Sequence, residues 1–412
     1  MNIVIITTPY YPNMAAPSAC INKYIQKLKF FHSIDVINPL TTEYFEPLND
    51  PNIVIHYVSN CLWRWRMRCL ENLKNGKFVF LNRFIINLFR IRTYLLASFS
   101  YPTIHSWQLN AFYKELERIQ ETKNIDVIIS VVNPICSTFS ALKFKKKYPN
   151  VKWITYFTDP FTFHPVVYTG VIFKNFRKKI NFKWEKEIYD TANYNLFTEE
   201  LYKMALHDFN QPPSKTICFK YILDRIVSTD VLPKTCHSDR CTLVYAGNVY
   251  MHRRNPKIAL SVLSKVEFIR LDLYVPYGKC DSIISEYLSD NIRRYPSVDR
   301  SKYNNIICNE YDILVNIGNN FNLQIPSKML ELLSTGRPII NFYQMKDSHY
   351  EMIEKYPLGI NIGPDDPDSL ERVTSFCQQM RGRRLSIEDV ERIFPENTLD
   401  NQLAILEKLL ND

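Results

Sequence analysis

Short apolar runs separated by amphipathic stretches dominate the first half of the chain. The runs lie at residues 3–7, 33–38, 127–132 and 153–157. Runs of this length that are rich in β-branched and aromatic residues are typical of strands buried on both faces of a parallel sheet. Helical periodicity over residues 18–31 and 107–121 predicts helices between these strands. The alternation predicts right-handed strand–helix–strand crossovers and a doubly wound sheet.

The same alternation returns in the second half of the chain. Strands are predicted at residues 242–246, 271–275, 312–317 and 338–342, with helices at 256–266 and 327–335 and another from residue 369. Residues 180–203 have the pattern of one long helix. The tail from residue 386 to 410 is predicted to be helical, with a break at 394–396 and an apolar helix face over 399–410.

The length of 412 residues exceeds what one hydrophobic core usually holds, so two domains are expected. The predicted fold class is α/β, with two doubly wound, Rossmann-like domains that face a cleft. The predicted divisions are an N-terminal domain at 1–215, a linker at 216–240, a C-terminal domain at 241–390 and a C-terminal helix at 391–412 that could return to the first domain.

One short helix in the second half carries two charges that its surroundings do not favour. Pro326 blocks the helix upstream, Ser327 suits the N-cap, and Gly336 suits the left-handed position after the last turn. Lys328 in the first turn opposes the helix dipole, and Glu331 lies among Met and Leu residues. A phosphate bound beside Lys328 and a partner for the Glu331 carboxylate would explain both charges.

Net charge and cysteine usage limit the classes of partner and the cellular compartment that we expect. The net charge of +9 suggests anionic partners, but the chain has no Lys/Arg-rich tail and no RNA-binding signature, so nucleic acid is not expected. The ten cysteines form no C-x-x-C pair, which favours free thiols in a reducing compartment. Met1 leads directly into an apolar strand without an export signal, so a cytoplasmic protein is expected.

Neither a metal nor a cofactor is predicted. Cys236, His237 and Cys241 form the only tight cluster of metal-ligating residues, and no second half-site accompanies them. Asp366 and Asp368 form an Asp-x-Asp pair, but they precede a predicted helix. Turn and cap chemistry therefore explains this pair better than metal binding does.

The segment at residues 62–99 combines aromatic and aliphatic residues with arginines. In its second part, Arg83, Asn87, Arg90 and Tyr94 recur at helical spacing, which predicts a narrow polar stripe. The arginines exclude a membrane-spanning helix, whereas a helix that lies in the interface of an anionic membrane fits the pattern. The alternative is a core helix whose arginines reach solvent. The predicted membrane-facing residues are Trp63, Arg64, Trp65, Arg66, Arg83, Arg90 and Arg92.

Three stretches of the second half carry motifs. They are Tyr245-Ala246-Gly247-Asn248 with Arg253-Arg254, Tyr311-Asp312-Ile313-Leu314-Val315-Asn316, and Pro326-Ser327-Lys328-Met329-Leu330-Glu331 followed by Gly336-Arg337-Pro338. Together they resemble the donor-binding domain of GT-B glycosyltransferases, and the resemblance is closest to the retaining family-four type of bacterial surface polysaccharide synthesis. The first half of the chain resembles this family only in general layout.

This resemblance implies roles for the charged residues of the motifs. Glu331 would bind the nucleotide ribose, while Arg253, Arg254 and Lys328 would hold the diphosphate. Fixed cations at that point would stabilise the charge that develops on the leaving nucleotide diphosphate. The implied donor-binding residues are Gly247, Asn248, Arg253, Arg254, Gly318, Gln324, Pro326, Ser327, Lys328, Met329 and Glu331. The candidate catalytic residues are Asp159, His164, Arg253 and Lys328.

The chain departs from the family pattern at two places. Leu323 stands where the family has the first acid of a carboxylate pair, and residues 14–18 replace the paired glycines after the first strand. Contacts to the donor sugar would then fall to other polar residues, namely Asn319, Asn320, Asn322 or Gln324.

Asp159 and His164 are the candidates on the acceptor side. They follow the fourth predicted strand at its carboxyl end, where doubly wound sheets bind ligands. The alternative for Asp159 is a turn or a helix cap.

Three functional hypotheses follow. The first is a glycosyltransferase at the inner face of the cell membrane, which moves a sugar from a nucleotide-sugar donor to a lipid-linked or growing saccharide acceptor, with retention of configuration. The second is a nucleotide-sugar epimerase of the same architecture. The third is a non-catalytic scaffold of polysaccharide assembly, which the missing acid at Leu323 would suit.

Overall fold

A computed structural model describes residues 1–12, 14–42, 48–97, 99, 106–132, 135–225, 240–278, 280–321, 323 and 327–412. The chain forms two compact units. Unit 1 comprises Met1–Lys220 and Leu403–Asp412, and unit 2 comprises Tyr221–Gln402. Each unit contains one parallel sheet, which confirms the prediction of two doubly wound, Rossmann-like folds.

Unit 1 is built on a seven-stranded sheet in the order β3-β2-β1-β4-β5-β6-β7, with every pairing parallel. Its strands are β1 Asn2–Ile6, β2 Ser33–Pro39, β3 Ile53–Val58, β4 Val127–Val131, β5 Lys152–Phe157, β6 Tyr194–Phe197 and β7 Thr216–Cys218. Its helices are α1 Ala16–Leu28, α2 Cys61–Lys74, α3 Val79–Ala97, α4 Ser106–Thr122, α5 Ile135–Lys147, α6 Lys174–Thr191 and α7 Glu199–His207. A 3-10 turn at Pro165–Tyr168 precedes α6.

Unit 2 is built on a six-stranded parallel sheet in the order β10-β9-β8-β11-β12-β13. Its strands are β8 Cys241–Ala246, β9 Ile269–Tyr274, β10 Ile292–Tyr295, β11 Ile313–Ile317, β12 Ile339–Phe342 and β13 Gly359–Ile362. Its helices are α8 Lys257–Leu263, α9 Asp281–Ser285, α10 Arg300–Asn305, α11 Lys328–Ser334, α12 Ser348–Lys355, α13 Ser369–Met380 and α14 Ile387–Ile393. A final helix, α15 Leu399–Asn411, begins in unit 2 and ends in unit 1.

The central strands are apolar because both of their faces are covered. Every residue of β4, β8, β11 and β12 is buried. In unit 2, two groups of buried side chains pack around the sheet, and α11 contributes Met329, Leu330, Leu332 and Leu333 to one of them. The helix that carries Lys328 is therefore fixed by apolar packing.

A ladder of buried asparagines crosses the sheet of unit 2. Asn316, Asn341 and Asn361 occupy paired register positions on β11, β12 and β13. Asn316 donates to Asn341 over 2.8 Å, and Asn341 donates to Asn361 over 2.7 Å. A register slip would leave these amides unpaired in the core, which costs roughly 1–3 kcal/mol for each group. The ladder therefore fixes the register of the strands beside α11.

One sequence prediction about helices was wrong. Residues 180–203 are not one helix, because β6 lies between α6 and α7 and pairs with both β5 and β7. Residues 62–99, for which an interfacial helix was predicted, hold two helices with a turn between them. The break predicted at 394–396 is confirmed as a 3-10 turn at Pro395–Asn397.

The boundaries of unit 1 do not follow a simple linear division of the chain into two domains. The segment predicted as a linker, 216–240, includes β7 of the first sheet, and residues 226–239 lie outside the described residues. The end of α15 is bound within unit 1, since the Lys152 ammonium donates to the carbonyls of Leu409 and Leu410 over 3.1 and 2.8 Å.

Candidate functional site

The strand order of unit 2 reverses between β8 and β11, and the predicted donor-binding residues gather at that point. β8 leads into Gly247 and Asn248, and β11 leads into Gly318 and Asn319. In doubly wound sheets the carboxyl ends of the strands at such a reversal form the usual ligand-binding crevice. The structure therefore brings together residues from two of the motifs.

The ammonium group of Lys328 lies at this point, packed between aromatic rings. Its Nζ is 5.6 Å from the ring centre of Tyr245 and 5.2 Å from that of Tyr303. A methyl group built on Gly247 would lie 2.6 Å from Nζ and 3.3 Å from the Tyr245 hydroxyl. A glycine at this position thus makes room for the ammonium group. The name Lys328 site is used below for five residues, namely Lys328, Tyr245, Tyr303, Gly247 and Arg254.

Burial disfavours the charged form of Lys328. Loss of hydration, with repulsion from Arg254, lowers the pKa of Lys328 from 10.5 to about 7. Among the described residues, no carboxylate oxygen lies within 4.0 Å of its nitrogen, although Glu331 stabilises the charge from farther away. A bound anion would restore the charge of this lysine.

Arg254 supplies a second cation, and a short turn holds it in place. The backbone of residues 250 and 254 closes the turn through two hydrogen bonds of 3.0 and 2.8 Å. The Arg254 guanidinium donates to Asn319 over 3.0 Å and to the Asn248 carbonyl over 3.4 Å. Asn320 donates from its backbone to the Arg253 carbonyl over 2.8 Å. Asn319 and Asn320, predicted as sugar contacts, therefore position the arginine turn.

The partner of Glu331 is Arg300, which the sequence analysis missed. The Arg300 guanidinium donates to Glu331 over 3.0 Å and also approaches Asp224 at 3.4 Å. Burial, with a smaller contribution from the Glu331 charge, raises the pKa of the neighbouring Tyr303 well above its ordinary value, so this phenol stays neutral. Arg300 lies 31 positions before Glu331 in a segment without a motif, so no sequence signal pointed to it.

The two ends of α11 lie where the sequence predicted them, although the predicted capping hydrogen bond is missing. Ser327 occupies the N-cap position, but its backbone is helical and its side chain makes no capping hydrogen bond. Gly336 has the predicted left-handed backbone, with φ of 68°, and a Cβ there would lie 2.0 Å from the Leu385 carbonyl oxygen. Arg337 is buried and donates to the Cys308 carbonyl over 2.9 Å, so this motif residue has a structural role.

Some predicted donor-binding residues already use their polar groups within the fold. The Gly247 amide donates to Tyr274 over 3.1 Å, and the Gly318 amide donates to Phe342 over 2.9 Å. Met329 is fully buried in the core. Gln324 and Pro326, together with Asn322, lie outside the described residues.

The candidates Asp159 and His164 lie in unit 1, on the loop after β5. Both are half-buried. The loop is tied to α6 by the buried Glu185 carboxylate, which accepts from the Thr162 amide over 2.9 Å and from the Tyr189 hydroxyl over 2.7 Å. Burial raises the pKa of Glu185. No motif in the sequence pointed to this carboxylate, which fixes the loop that carries both candidates.

The segment predicted to face the membrane forms a helical hairpin, made of α2, α3 and the turn between them. The side chain of Asn82 closes the turn by donating to the carbonyls of Lys77 and Phe78 over 3.0 and 3.1 Å. Trp65 packs on Phe89 with ring centres 5.6 Å apart, which joins the two helices. Trp63 instead donates to the Leu40 carbonyl over 2.5 Å and thereby holds α2 against the rest of unit 1.

An apolar stripe runs along the outer face of α3. Its members, all exposed, are Phe80, Phe84, Leu88, Ile91 and Leu95. At roughly 100° per residue they share one side of the helix, opposite the buried residues Asn82 and Ile86. Arg83 and Arg90 flank the stripe on one side and Arg92 on the other, and all three are exposed. Arg64 is exposed on α2, and Arg66 lies 5.6 Å from the Trp63 ring.

The hairpin combines exposed apolar side chains with exposed arginines. Within the described residues, no helix is both long and apolar enough to cross a membrane. Phe80 near the turn is 94% exposed, which is more than any other large apolar side chain among the described residues. An apolar stripe with arginines on both sides is the arrangement that an interfacial helix requires.

The Asp-x-Asp pair has a local role. Asp366 accepts from the Asp368 amide over 3.2 Å and forms an ion pair with Arg372. This agrees with the predicted turn chemistry before α13. Cys241 is a free, buried thiol, whereas Cys236 and His237 lie outside the described residues.

Comparison with solved structures identifies the fold. Sucrose-phosphate synthase from Thermosynechococcus elongatus superposes with a TM-score of 0.71 at 11% identity, over 100% of this chain and 98% of that chain. HepE from Anabaena in complex with UDP gives 0.64 at 10% identity, over 100% of both chains. The lipopolysaccharide outer core galactosyltransferase WaaB in its apo form gives 0.63 at 11%, over 100% of this chain and 99% of that chain.

These likenesses show that the chain has the two-domain GT-B fold of glycosyltransferases, as the sequence motifs predict. No protein-family profile and no curated protein sequence matches the chain. The fold is therefore established by the structure alone, and the activity has to be argued from the site.

The titration of Lys328 gives a testable dependence of stability on pH. Because the pKa of Lys328 falls from 10.5 to about 7 on folding, the unfolded chain binds more protons between these values. Stability contributed by this group therefore rises with pH across that range. Lys328→Met removes the titration. We expect the free energy of unfolding of Lys328→Met, minus that of the wild type, to be largest at or below pH 7 and to decrease toward pH 10.

Urea denaturation followed by far-UV circular dichroism measures this difference. Tryptophan fluorescence is less suitable, because all five tryptophans lie in unit 1 and do not report directly on unit 2. The exposed Lys265 in unit 2 provides the control, because Lys265→Met makes the same substitution and leaves the Lys328 site intact. A constant difference for Lys328→Met would contradict the depressed pKa.

Proposed function

We propose that this protein is a glycosyltransferase that moves a sugar from a nucleotide-sugar donor to a lipid-linked or growing saccharide acceptor of surface polysaccharide synthesis. The resemblance of its motifs to the retaining family-four type supports retention of configuration. The observation that carries the proposal is the Lys328 site, in which two cations meet at the strand reversal of unit 2.

The electrostatics of the Lys328 site favour a dianionic group. A desolvated ammonium and a guanidinium that repel each other are unfavourable until an anion lies beside them. A diphosphate supplies two adjacent negative groups and would raise the pKa of Lys328 again. Because the cations are already in place, they would stabilise the developing charge of the leaving nucleotide diphosphate without further reorganisation.

Glu331 would accept hydrogen bonds from the ribose hydroxyls. Its ion pair with Arg300 orients the carboxylate and leaves accepting capacity on the second oxygen. Arg300 and Tyr303 would then act as positioning residues for the nucleoside end of the donor. Arg253, on the same turn as Arg254, would contribute a further positive charge to the diphosphate.

On the acceptor side, we assign the acceptor contact to Asp159 and His164. The support is their place after β5, at the carboxyl edge of the sheet of unit 1, and the fixed loop that carries them. A carboxylate and an imidazole can both accept a hydrogen bond from a sugar hydroxyl.

UDP-sugars are the first donors to test. HepE was solved with UDP, and a further structure of the same fold was solved with UDP-2-fluoro glucose, at 10% and 11% identity to this chain. No metal or cofactor enters the proposal, because Lys328 and the arginines can supply the positive charge.

The hairpin would hold the enzyme at the inner face of the cell membrane, where a lipid-linked acceptor is found. The supporting observation is the exposed apolar stripe of α3 with arginines on both sides. Phospholipid acyl chains would cover the stripe, and the lipid phosphates would pair with the arginines.

Removal of the Lys328 charge should abolish most donor turnover. We expect Lys328→Met to lower kcat/KM for hydrolysis of the best donor by roughly 100-fold, because one fixed charge at the developing anion is lost. Gly247→Ala should lower it by about tenfold, since its Cβ would displace the ammonium group without filling the core. The assay measures nucleotide diphosphate released from a panel of UDP- and GDP-sugars.

Lys265→Met again serves as the control, with unchanged kinetics expected. Wild-type turnover in both Lys328→Met and Gly247→Ala would contradict the site. Absence of binding to every nucleotide diphosphate would favour a scaffold, and isomerisation of the free donor would favour an epimerase.

The membrane proposal predicts a loss of vesicle binding when the stripe is made polar. Phe80→Ser with Phe84→Ser should reduce partition onto anionic vesicles by roughly tenfold or more, because two large apolar side chains no longer enter the bilayer. Co-sedimentation with vesicles that contain phosphatidylglycerol measures the effect. An unchanged partition of this pair would contradict the proposed role of the hairpin.

A further inference from the structure

A second group of large apolar side chains is exposed on unit 1, outside the hairpin. It comprises Ile172, Phe173 and Phe176, which are 70%, 67% and 67% exposed. They lie in the last residues before α6 and in its first turn. Val171 beside them is buried and anchors this short stretch in the unit. Together with Lys174, Lys178 and Lys179 they form what we call the α6 patch.

The charges of the α6 patch have one sign only. Between residues 160 and 184 the sequence contains no Asp or Glu, whereas Lys174, Arg177, Lys178, Lys179 and Lys183 are basic. In the part of the chain that the structure describes, no carboxylate lies within 4.0 Å of the Lys174, Lys178 or Lys179 nitrogen. Elsewhere in unit 1, lysines such as Lys146 and Lys147 pair with glutamates. The patch lysines are thus available to an external anion.

We propose that the α6 patch is a second site of contact with an anionic phospholipid bilayer, separate from the hairpin. Three exposed apolar side chains among cations match the boundary between acyl chains and lipid phosphates. The patch offers no acidic group to satisfy cations of a partner. The proposal therefore commits to a bilayer rather than to a protein surface of mixed charge.

The α6 patch is connected to the loop that carries Asp159 and His164. The Lys178 ammonium lies 4.9 Å from the ring centre of Phe163 in that loop. The Tyr168 hydroxyl, just before the patch, donates to the Thr162 carbonyl over 2.7 Å. Contact of the patch with the bilayer would place this loop at the lipid surface. This consequence rests on the proposed function, whereas the bilayer contact itself does not.

The test compares two pairs of exposed phenylalanines in unit 1. Phe173→Ser with Phe176→Ser removes the apolar part of the patch. Phe30→Ser with Phe31→Ser is the matched control, because these side chains are 67% and 74% exposed and the adjacent Lys29 is paired with Asp50. Partition onto vesicles of phosphatidylcholine with phosphatidylglycerol is measured by co-sedimentation, without any nucleotide sugar. We expect at least about a fivefold loss for the patch pair and none for the control pair.

Hydrogen–deuterium exchange on the wild-type protein provides a second, independent readout. Vesicles with phosphatidylglycerol should slow exchange over residues 169–177, in addition to the hairpin. Unchanged exchange over these residues would overturn the proposal, and so would partition of the patch pair equal to that of the wild type. Both readouts are independent of catalysis, so a failure of sugar transfer would leave the result for the patch intact.

Discussion

The ammonium group of Lys328 is the feature on which the candidate site depends. It has lost water to the rings of Tyr245 and Tyr303 and lies beside another cation, Arg254, so its pKa falls to about 7. An isolated buried cation is costly, and protein structures keep one where it has a partner or a ligand. The Glu331 carboxylate, which favours the charged form of Lys328, is itself bound to Arg300. A nucleotide diphosphate is the partner that we propose for this site.

The rest of unit 2 keeps this group in position. α11 is held by four apolar side chains, and the asparagine ladder fixes the strands beside it. Gly247 leaves the space that the ammonium occupies, and the arginine turn is closed by its own backbone and by Asn319. Rigid packing around a desolvated cation is what electrostatic preorganisation requires, since no rearrangement is needed when charge develops. The stripe of α3 differs from this packed region, because its apolar side chains are exposed to solvent.

Features set by local sequence were predictable, and features set by distant partners were not. Proline and glycine bound α11, and the apolar runs of β8 and β11 identify central strands, so the position of Lys328 at the strand ends followed from the sequence. The strand β6 was missed because its pairing with β5 and β7 overrides a helical pattern. Arg300 was missed because ion pairs between remote segments leave no periodic trace. The stripe of α3 has the same periodicity whether it packs inward or is exposed, so only the structure could show its direction.

Proton uptake on nucleotide binding tests the central claim most directly. Isothermal titration of the protein with UDP, in buffers of different ionisation enthalpy at about pH 8, gives the number of protons taken up. At that pH a lysine with a pKa of about 7 is mostly neutral, and a diphosphate beside it should restore its charge. The account predicts uptake of close to one proton per UDP by the wild type and almost none by Lys328→Met. Tight binding of UDP by the wild type without proton uptake would contradict it.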